Sequence, residues 1–284
     1  MAPPDARHQD YAASLLQPGS SLQGLRFGLL NGFFNHTPSS ETTPVNDVMA
    51  AVVSKLTSAG ATVINITDAL YDTPSIAKLD VQPFEFRQLL DTYLSTTTSL
   101  NLTFTTLFSK NNTKTLIIPA QHPLINLSST LSPSSLTYPL SLAAIQSLTL
   151  SLHTTFASHN LTALIYPHQK SLPVKLGSPS QHGRNGILAA LTGYPAVCVP
   201  AGFSLPSKNA PKGVPVGVEI LGRPWSEGTL VRIASLVDRE LGGVRRMPPF
   251  AEGVVERKGY GRDVPVVRPG MVAVPGEYPL GGVL

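Results

Sequence analysis

The residues best suited to binding chemistry lie just before a predicted helix and in a turn further along the chain. His182 and Arg184 fall in the polar segment 181–185, and both side chains could bind a small substrate. Arg184 favours a carboxylate over an amine, because a guanidinium pairs with carboxylate oxygens through two parallel hydrogen bonds. Trp225 is a third candidate for substrate contact. The alternatives are a surface loop with a helix cap for 181–185, and a packing role for the indole.

Several other chemistries are excluded by residue type and spacing. Residues 92–218 contain no Asp or Glu, so neither a carboxylate pair nor an oxygen-ligand metal site can be built within them. No G-x-S-x-G turn occurs. No two histidines are spaced i, i+4 beside an acid, so we expect no metal, and nothing in the sequence indicates a cofactor. The single cysteine, Cys198, lies in an apolar run and is predicted to be a buried structural thiol.

Composition limits the partners and the location. The chain has 284 residues, a net charge of +4 and no cluster of Lys and Arg with interleaved aromatic residues, so we expect no nucleic acid. No apolar run approaches the ~20 residues of a membrane-spanning helix, so we expect no membrane partner. No signal peptide is visible, which predicts a cytoplasmic chain as written. Six Asn-x-Ser/Thr sequons suggest a secreted ancestor, with high Ser/Thr content as the alternative: Asn35, Asn65, Asn101, Asn111, Asn126 and Asn160.

The elements that must position these residues begin with a strand–helix–strand unit. Residues 24–30 and 61–66 are apolar runs typical of strands. Between them, Thr43 is predicted to cap a helix that starts at Pro44. The short joints predict a parallel pair of strands.

Further elements follow toward the C-terminus. Amphipathic or apolar patterns predict helices over 84–94 and 140–158, strands at 163–166, 196–199 and 214–221, and a helix capped by Ser226 and ended by Gly242. Gly217 within a strand indicates a bulge or a close approach by another backbone. The fold class is therefore α/β, a mixed sheet covered by helices. The predicted organisation is an extension (1–22), one domain (23–244) and a Pro/Gly-rich tail (245–284).

Five segments in this order resemble the second half of the amidase signature family. They are the strand at 22–29, the Ala59-Gly-Ala-Thr-Val63 helix end, the Glu85-Phe-Arg87 helix with Tyr93-Leu94, the strand Leu164-Ile-Tyr-Pro167, and the block 191–204 with its sequel 213–230. The Pro-Ala-Gly-Phe sequence at 200–203 carries most of the resemblance. The resemblance implies the C-terminal half of that fold.

The resemblance also implies a serine nucleophile, a bridging serine in a cis peptide and a lysine base, with a Gly-rich loop for the oxyanion. This sequence has no "GGSSGGS"-like loop, and its nearest lookalike, residues 18–21, is interpreted as a solvated turn. We therefore predict no catalytic residue in the chain.

Three functions remain open. The chain is either a truncated amidase-like protein without amidase activity of its own, or a free-standing binding, regulatory or repurposed protein on the same scaffold. An independent Ser/His hydrolase is a third hypothesis. The expected partners are a small amide or carboxylate ligand, and either a second copy of the chain or a separate catalytic half.

Overall fold

Five strands form one mixed sheet in the order β2-β1-β3-β5-β4. The structure is a computed structural model, and it describes residues 10–15, 21–97, 102–109, 117, 121–174, 182–208 and 210–242. The strands β2, β1 and β3 run parallel, β5 is antiparallel to β3, and β4 is antiparallel to β5. The strand bounds are β1 Arg26–Leu30, β2 Thr62–Ile66, β3 Ala163–Pro167, β4 Ala196–Phe203 and β5 Pro215–Leu221. This topology confirms the α/β class and the parallel strand–helix–strand unit.

The helices connect these strands and flank the sheet. A 3-10 turn, Asn31–Phe33, follows β1 directly. The helices are α1 Tyr11–Leu15, α2 Thr43–Ser58, α3 Thr73–Ala77, α4 Gln82–Thr97, α5 Phe104–Leu107, α6 His122–Thr130, α7 Thr137–Ser158, α8 Ile187–Thr192 and α9 Glu227–Glu240. Within the described residues, no helix is both long and apolar enough to cross a membrane.

One face of the sheet packs against α2 and α9. Every second residue of β3 and β5, such as Ile165, Val218 and Ile220, is buried there. The stripe predicted for α9 is buried in the same cluster: Leu230, Ile233, Ala234, Val237 and Leu241. Helical spacing of about 3.6 residues places these side chains on one side of the helix, and burial of each Leu, Ile or Val among them contributes about 1.5–3 kcal/mol.

The opposite face packs against α7, α8 and the segment before α4. Leu148, Leu152 and Phe156 of α7 contact Leu164 of β3 and neighbouring apolar residues. Because strand side chains alternate, the residues between those of the first face point here. This second face is apolar over β2, β1 and β3, and over β5 it carries both Leu221 and the buried carboxylate of Glu219.

Three local expectations are corrected by the structure. The helix α2 begins at Thr43, not Pro44, and its N-cap is Thr42, whose hydroxyl donates to Thr37 O instead of capping the helix. Cys198 is exposed rather than buried, because β4 is the last strand of the sheet. At Gly217 the close neighbour is a side chain: a Cβ atom there would lie 2.7 Å from Cys198 Sγ. The bulge lies instead in β4, between Pro200 and Gly202.

Most of the predicted extension, 1–22, and all of the tail, 245–284, lie outside the described residues. The three-part organisation of the chain therefore stays a prediction.

Candidate functional site

The site is a crevice at the carboxyl ends of β1 and β3, defined by residues 31–33, 168–172 and 182–185. From β1 the chain crosses to β2 through α2, which packs on one face, and it reaches β3 after α7, which packs on the other. β2 and β3 thus lie on opposite sides of β1. Such a switch point, where connections leave in opposite directions, is where open α/β sheets bind ligands.

A buried carboxylate lies beside the crevice. Glu219 of β5 is only 5% exposed. Its Oε1 accepts a hydrogen bond of 2.8 Å from the Tyr166 hydroxyl, and its Oε2 one of 2.6 Å from His168 Nδ1. Register explains the arrangement, since Tyr166 lies opposite Glu219 in the antiparallel pair of β3 and β5. Burial, and then the charge of Glu219, raise the pKa of Tyr166 well above its usual value, so the phenol stays a donor.

The same carboxylate orients His168. A carboxylate oxygen only accepts, so Nδ1 carries the proton that the pair shares, and Nε2 is the atom that remains for other contacts. The His168 side chain is 49% exposed, whereas that of Glu219 is 6% exposed. This is the arrangement of a histidine that can accept or deliver a proton while its partner fixes the ring.

Cys198 of β4 lies beside Glu219 in the sheet, but it is a poor nucleophile. It pairs with Glu219 across β4 and β5, on the face shared with Tyr166. Although Cys198 as a whole residue is exposed, its Sγ packs against Gly217. This partial desolvation of the thiol, and then the Glu219 charge, raise the pKa of Cys198 to about 11. Because the thiolate is the reactive form, this thiol is almost wholly protonated at neutral pH.

A short two-stranded extension forms the floor of the crevice. Lys170 N donates to Gly183 O at 2.7 Å, and Asn185 N donates to His168 O at 3.2 Å. Asn185 is fully buried; its Nδ2 donates to Phe33 O and Pro167 O, and its Oδ1 accepts from the Thr73 hydroxyl. One amide side chain therefore joins the ends of β1 and β3 to the start of α3.

Lys170 spans the crevice and binds the other side. Its Nζ donates to Gly32 O at 2.8 Å. Desolvation lowers the pKa of Lys170, and the nearby Asp72 carboxylate partly opposes this shift. Asp72 itself caps α3 by accepting from Ser75 N and the Ser75 hydroxyl, and chiefly these hydrogen bonds lower its pKa. The hydrogen bond to Gly32 O thus fixes the position of the positively charged Lys170 ammonium group.

A small cavity of about 110 Å³ opens beside His168, lined also by Gln169, Ser171 and Gly217. Ser171 is 4% exposed, and its hydroxyl has no hydrogen-bond partner among the described residues. Gln169 Oε1 is also buried and unpaired within that part of the chain. A buried polar group without a partner costs about 1–3 kcal/mol, so a polar guest in this cavity would be stabilised.

The structure brings two of the three predicted binding residues to this crevice. His182 Nε2 lies 3.7 Å from Glu41 Oε2, with both side chains largely exposed, and Arg184 forms a backbone bridge with Gln169. Trp225 lies at the other end of β3, near Arg223, whose guanidinium donates to Leu161 O. No metal site is evident either, since no three His, Cys, Asp or Glu side chains converge within the described residues.

The sequence argument missed the central residue of the site, Glu219. The signal was present: Glu219 is the first acid after the acid-free stretch 92–218, and it interrupts an apolar strand. A lone charge in such a run is rarely buried unless it is paired. Its partners, however, lie 53 and 51 residues away in the chain.

Comparison with known proteins gives a family and several relatives. The family model described as Amidase matches residues 3–231. A fatty acid amide hydrolase of Arabidopsis thaliana is 41% identical over 63 residues, which are 22% of this chain and 9% of the relative. Mandelamide hydrolase of Pseudomonas putida is 34% identical over 107 residues, which are 35% of this chain and 20% of the relative.

Solved structures extend the likeness to most of the chain. The native peptide amidase of Stenotrophomonas maltophilia has a TM-score of 0.61 at 22% identity, over 85% of this chain and 47% of that one. A bacterial aryl acylamidase of the amidase signature family has a TM-score of 0.61 at 14% identity, over 82% and 46%. The fold is therefore shared, and this chain spans less than half of each of these proteins.

Proposed function

Because the chain belongs to the amidase family, we propose that it forms the non-nucleophilic half of an amide-bond hydrolase and supplies one wall of the substrate site. The observation that carries this proposal is the family match over residues 3–231. In this proposal the chain has no amidase activity alone, and the activated serine comes from a segment or partner outside these 284 residues.

The crevice supplies the wall for the substrate. Gln169 Oε1 is an unpaired acceptor and Ser171 an unpaired hydroxyl, both on the cavity beside His168. An amide offers the complement: its N–H donates to Gln169, and its carbonyl accepts from Ser171. This pairing favours an amide ligand at the cavity, while the exposed Arg184 at the mouth would favour a carboxylate elsewhere on the same substrate.

Two surfaces support pairing with a catalytic half. The strand β4 is the last strand of the described sheet, and such an edge invites another strand. Large apolar side chains are exposed on α4 and around the start of α7, including Tyr93 (61%), Leu136 (91%) and Leu140 (68%). Exposed apolar side chains of this size are candidates for an interaction site.

Translation of the transcript upstream of the Met1 codon tests the proposal. We expect an in-frame Gly/Ser-rich loop and a preceding lysine. The longer protein should release ammonia from a primary amide and react with a fluorophosphonate probe, whereas the 284-residue chain should do neither. Labelling of the 284-residue chain, or no amide hydrolysis by the longer protein, contradicts the proposal.

Ser171→Ala in the longer protein tests the substrate wall separately. Loss of one neutral hydrogen bond should raise KM for the amide about two- to tenfold, with a smaller change in kcat. Ser128→Ala is the matched control, because Ser128 is also fully buried with an unpaired hydroxyl but lies in α6. Equal effects of the two substitutions on KM would show that Ser171 does not contact the substrate.

A free-standing binding protein is the second candidate function. It is favoured by the two apolar clusters, since the chain covers both faces of β1 and β3 with its own helices. Measurement of the molecular mass of the purified chain in solution separates the two. A folded monomer favours the free-standing protein, and an aggregate or a stable dimer favours the half-enzyme with its open edge.

A further inference from the structure

A second pocket lies at the end of β3 and β5 opposite the crevice. Its volume is about 380 Å³, within the range of small-molecule sites, and α7, the turn before β4 and the turn before α9 line it. The lining includes Trp225, Glu227 and Pro224 on one side, and Leu150, His153 and Tyr194 on the others. The proposed amidase-family role makes no use of this pocket.

The indole of Trp225 is held out of the core. Trp225 has φ +61°, a left-handed conformation that costs a residue other than glycine about 1–3 kcal/mol. Trp225 is 48% exposed, so about half of this large residue remains accessible to a ligand. Across the pocket, Leu150 is 70% exposed. The pocket therefore presents an aromatic face and an aliphatic side chain to solvent.

Glu227 is the one acidic side chain among the described lining residues of this pocket, and His153 is the one basic side chain. Glu227 is half-buried, and within the described residues no side chain pairs with its carboxylate. Arg223 lies near the pocket wall, since burial raises the pKa of Tyr194 and the positive charge of Arg223 partly opposes this rise. Its Nη2 donates to Phe156 O and Leu161 O, and its guanidinium lies 5.0 Å from the Phe156 ring centroid. No Lys or Arg lines the pocket among the residues described.

We propose that this pocket binds an organic cation, an ammonium group with an apolar body. The face of an indole attracts a cation more strongly than any other aromatic side chain does, and the Glu227 carboxylate supplies the opposite charge. Leu150 and Pro224 contact the apolar part of the ligand. The site is distinct from the crevice of the proposed amide substrate and functions without it.

The chain contains one tryptophan, so its emission reports this pocket alone. Three isosteric probes are titrated into the 284-residue chain: choline, the neutral 3,3-dimethyl-1-butanol and the anionic 3,3-dimethylbutanoate. We expect a saturable change with choline, at a dissociation constant about tenfold below that of the neutral probe. The anion should bind more weakly than either, because Glu227 repels it.

Glu227→Gln should weaken choline binding about three- to tenfold and leave the neutral probe unchanged. Glu240→Gln is the control, because Glu240 is an exposed acid at the far end of the same helix. Trp225→Leu, followed by calorimetry and checked by circular dichroism, should weaken choline by a similar factor. Equal affinity for all three probes, or choline binding that does not depend on Glu227, overturns the proposal.

Discussion

Two glutamates, Glu219 within β5 and Glu227 at the start of α9, have opposite environments. Glu219 is buried, and its carboxylate accepts hydrogen bonds from Tyr166 and His168. Glu227, just past the strand, lines an open pocket and has no side-chain partner within the described part of the chain. A buried charge must be paired because its desolvation costs several kcal/mol, so Glu219 holds protein groups in place. A half-buried carboxylate that still contacts solvent costs less to leave unpaired and remains available for a ligand.

The largest expected effect tests how rigidly the crevice is held. Asn185→Ala leaves Phe33 O, Pro167 O and the Thr73 hydroxyl without their partner, so we expect a loss of about 3 kcal/mol or more in the free energy of unfolding. Urea denaturation followed by circular dichroism measures it. Asn65→Ala is the control, because Asn65 is exposed on β2. A loss below about 1 kcal/mol would show that Asn185 does not hold the two strand ends together.

Tyr166→Phe tests the pairing of Glu219 directly. The substitution keeps the ring in the core but removes the donor to a carboxylate, and hydrogen bonds to charged groups contribute about 1.5–3 kcal/mol. We expect a loss of that size in the free energy of unfolding. Tyr11→Phe, at an exposed position of α1, should have no measurable effect. Equal stability of Tyr166→Phe and the parent chain would mean that Glu219 does not need this partner.

The third prediction uses Cys198 to sense the Glu219 charge. With a pKa of about 11 against the ordinary 9.0, the thiolate is about a hundredfold scarcer at pH 8 than in an unperturbed thiol, and its fraction rises tenfold per pH unit until about pH 11. Alkylation by iodoacetamide should therefore be slow and increase steeply with pH. Glu219→Gln removes the negative charge and lowers this pKa, so alkylation at pH 8 should become several-fold faster.

The alkylation measurement needs only the intact protein, because Cys198 is the single cysteine of the chain. Glu227→Gln is the control, since its carboxylate lies at the other end of the sheet. An unchanged alkylation rate in Glu219→Gln would show that the Glu219 charge does not control the reactivity of the Cys198 thiol.

The smallest effect is expected at the pocket. Glu227→Gln removes a charge from the first turn of α9, where an acid favours the helix dipole by about 0.3–1 kcal/mol. We expect a change in the free energy of unfolding within that range, below the effect of Tyr166→Phe. Urea denaturation of the two variants side by side measures the difference. A larger loss for Glu227→Gln would reverse the comparison and make Glu227 a structural residue.

Much of the fold could be predicted because its signals are local. The stripe of α9, the apolar runs of β1, β3 and β5 and the glycine that ends α9 all depend on neighbours a few residues away. Gly242 has φ +82°, which glycine adopts without strain. The prediction of Thr43 as the N-cap of α2 was wrong. Thr42 and Thr43 both suit an N-cap by residue type, and the hydrogen bond from the Thr42 hydroxyl to Thr37 O decides between them.

The sites were less accessible to prediction because their residues are distant in sequence. Cys198 was expected to be buried, since its run is apolar, but the position of β4 at the sheet edge exposes it. His182, Arg184 and Trp225 were each predicted as candidates for substrate contact, and the structure places the first two and Trp225 at opposite ends of β3. Only the fold places Trp225 and Glu227 against Leu150 and Tyr194.

The sequence by itself determined the family, the α/β class and the apolar faces, because short motifs and hydrophobic periodicity depend only on residues that are close together in the chain. The tertiary structure alone decided that Cys198, Glu219 and Tyr166 share one row, because that row depends on the register of two antiparallel pairs. A shift of one residue in either pair would turn Glu219 to a face where only apolar side chains lie. The partners of each glutamate, and hence its role, are set by that register and not by the order of residues.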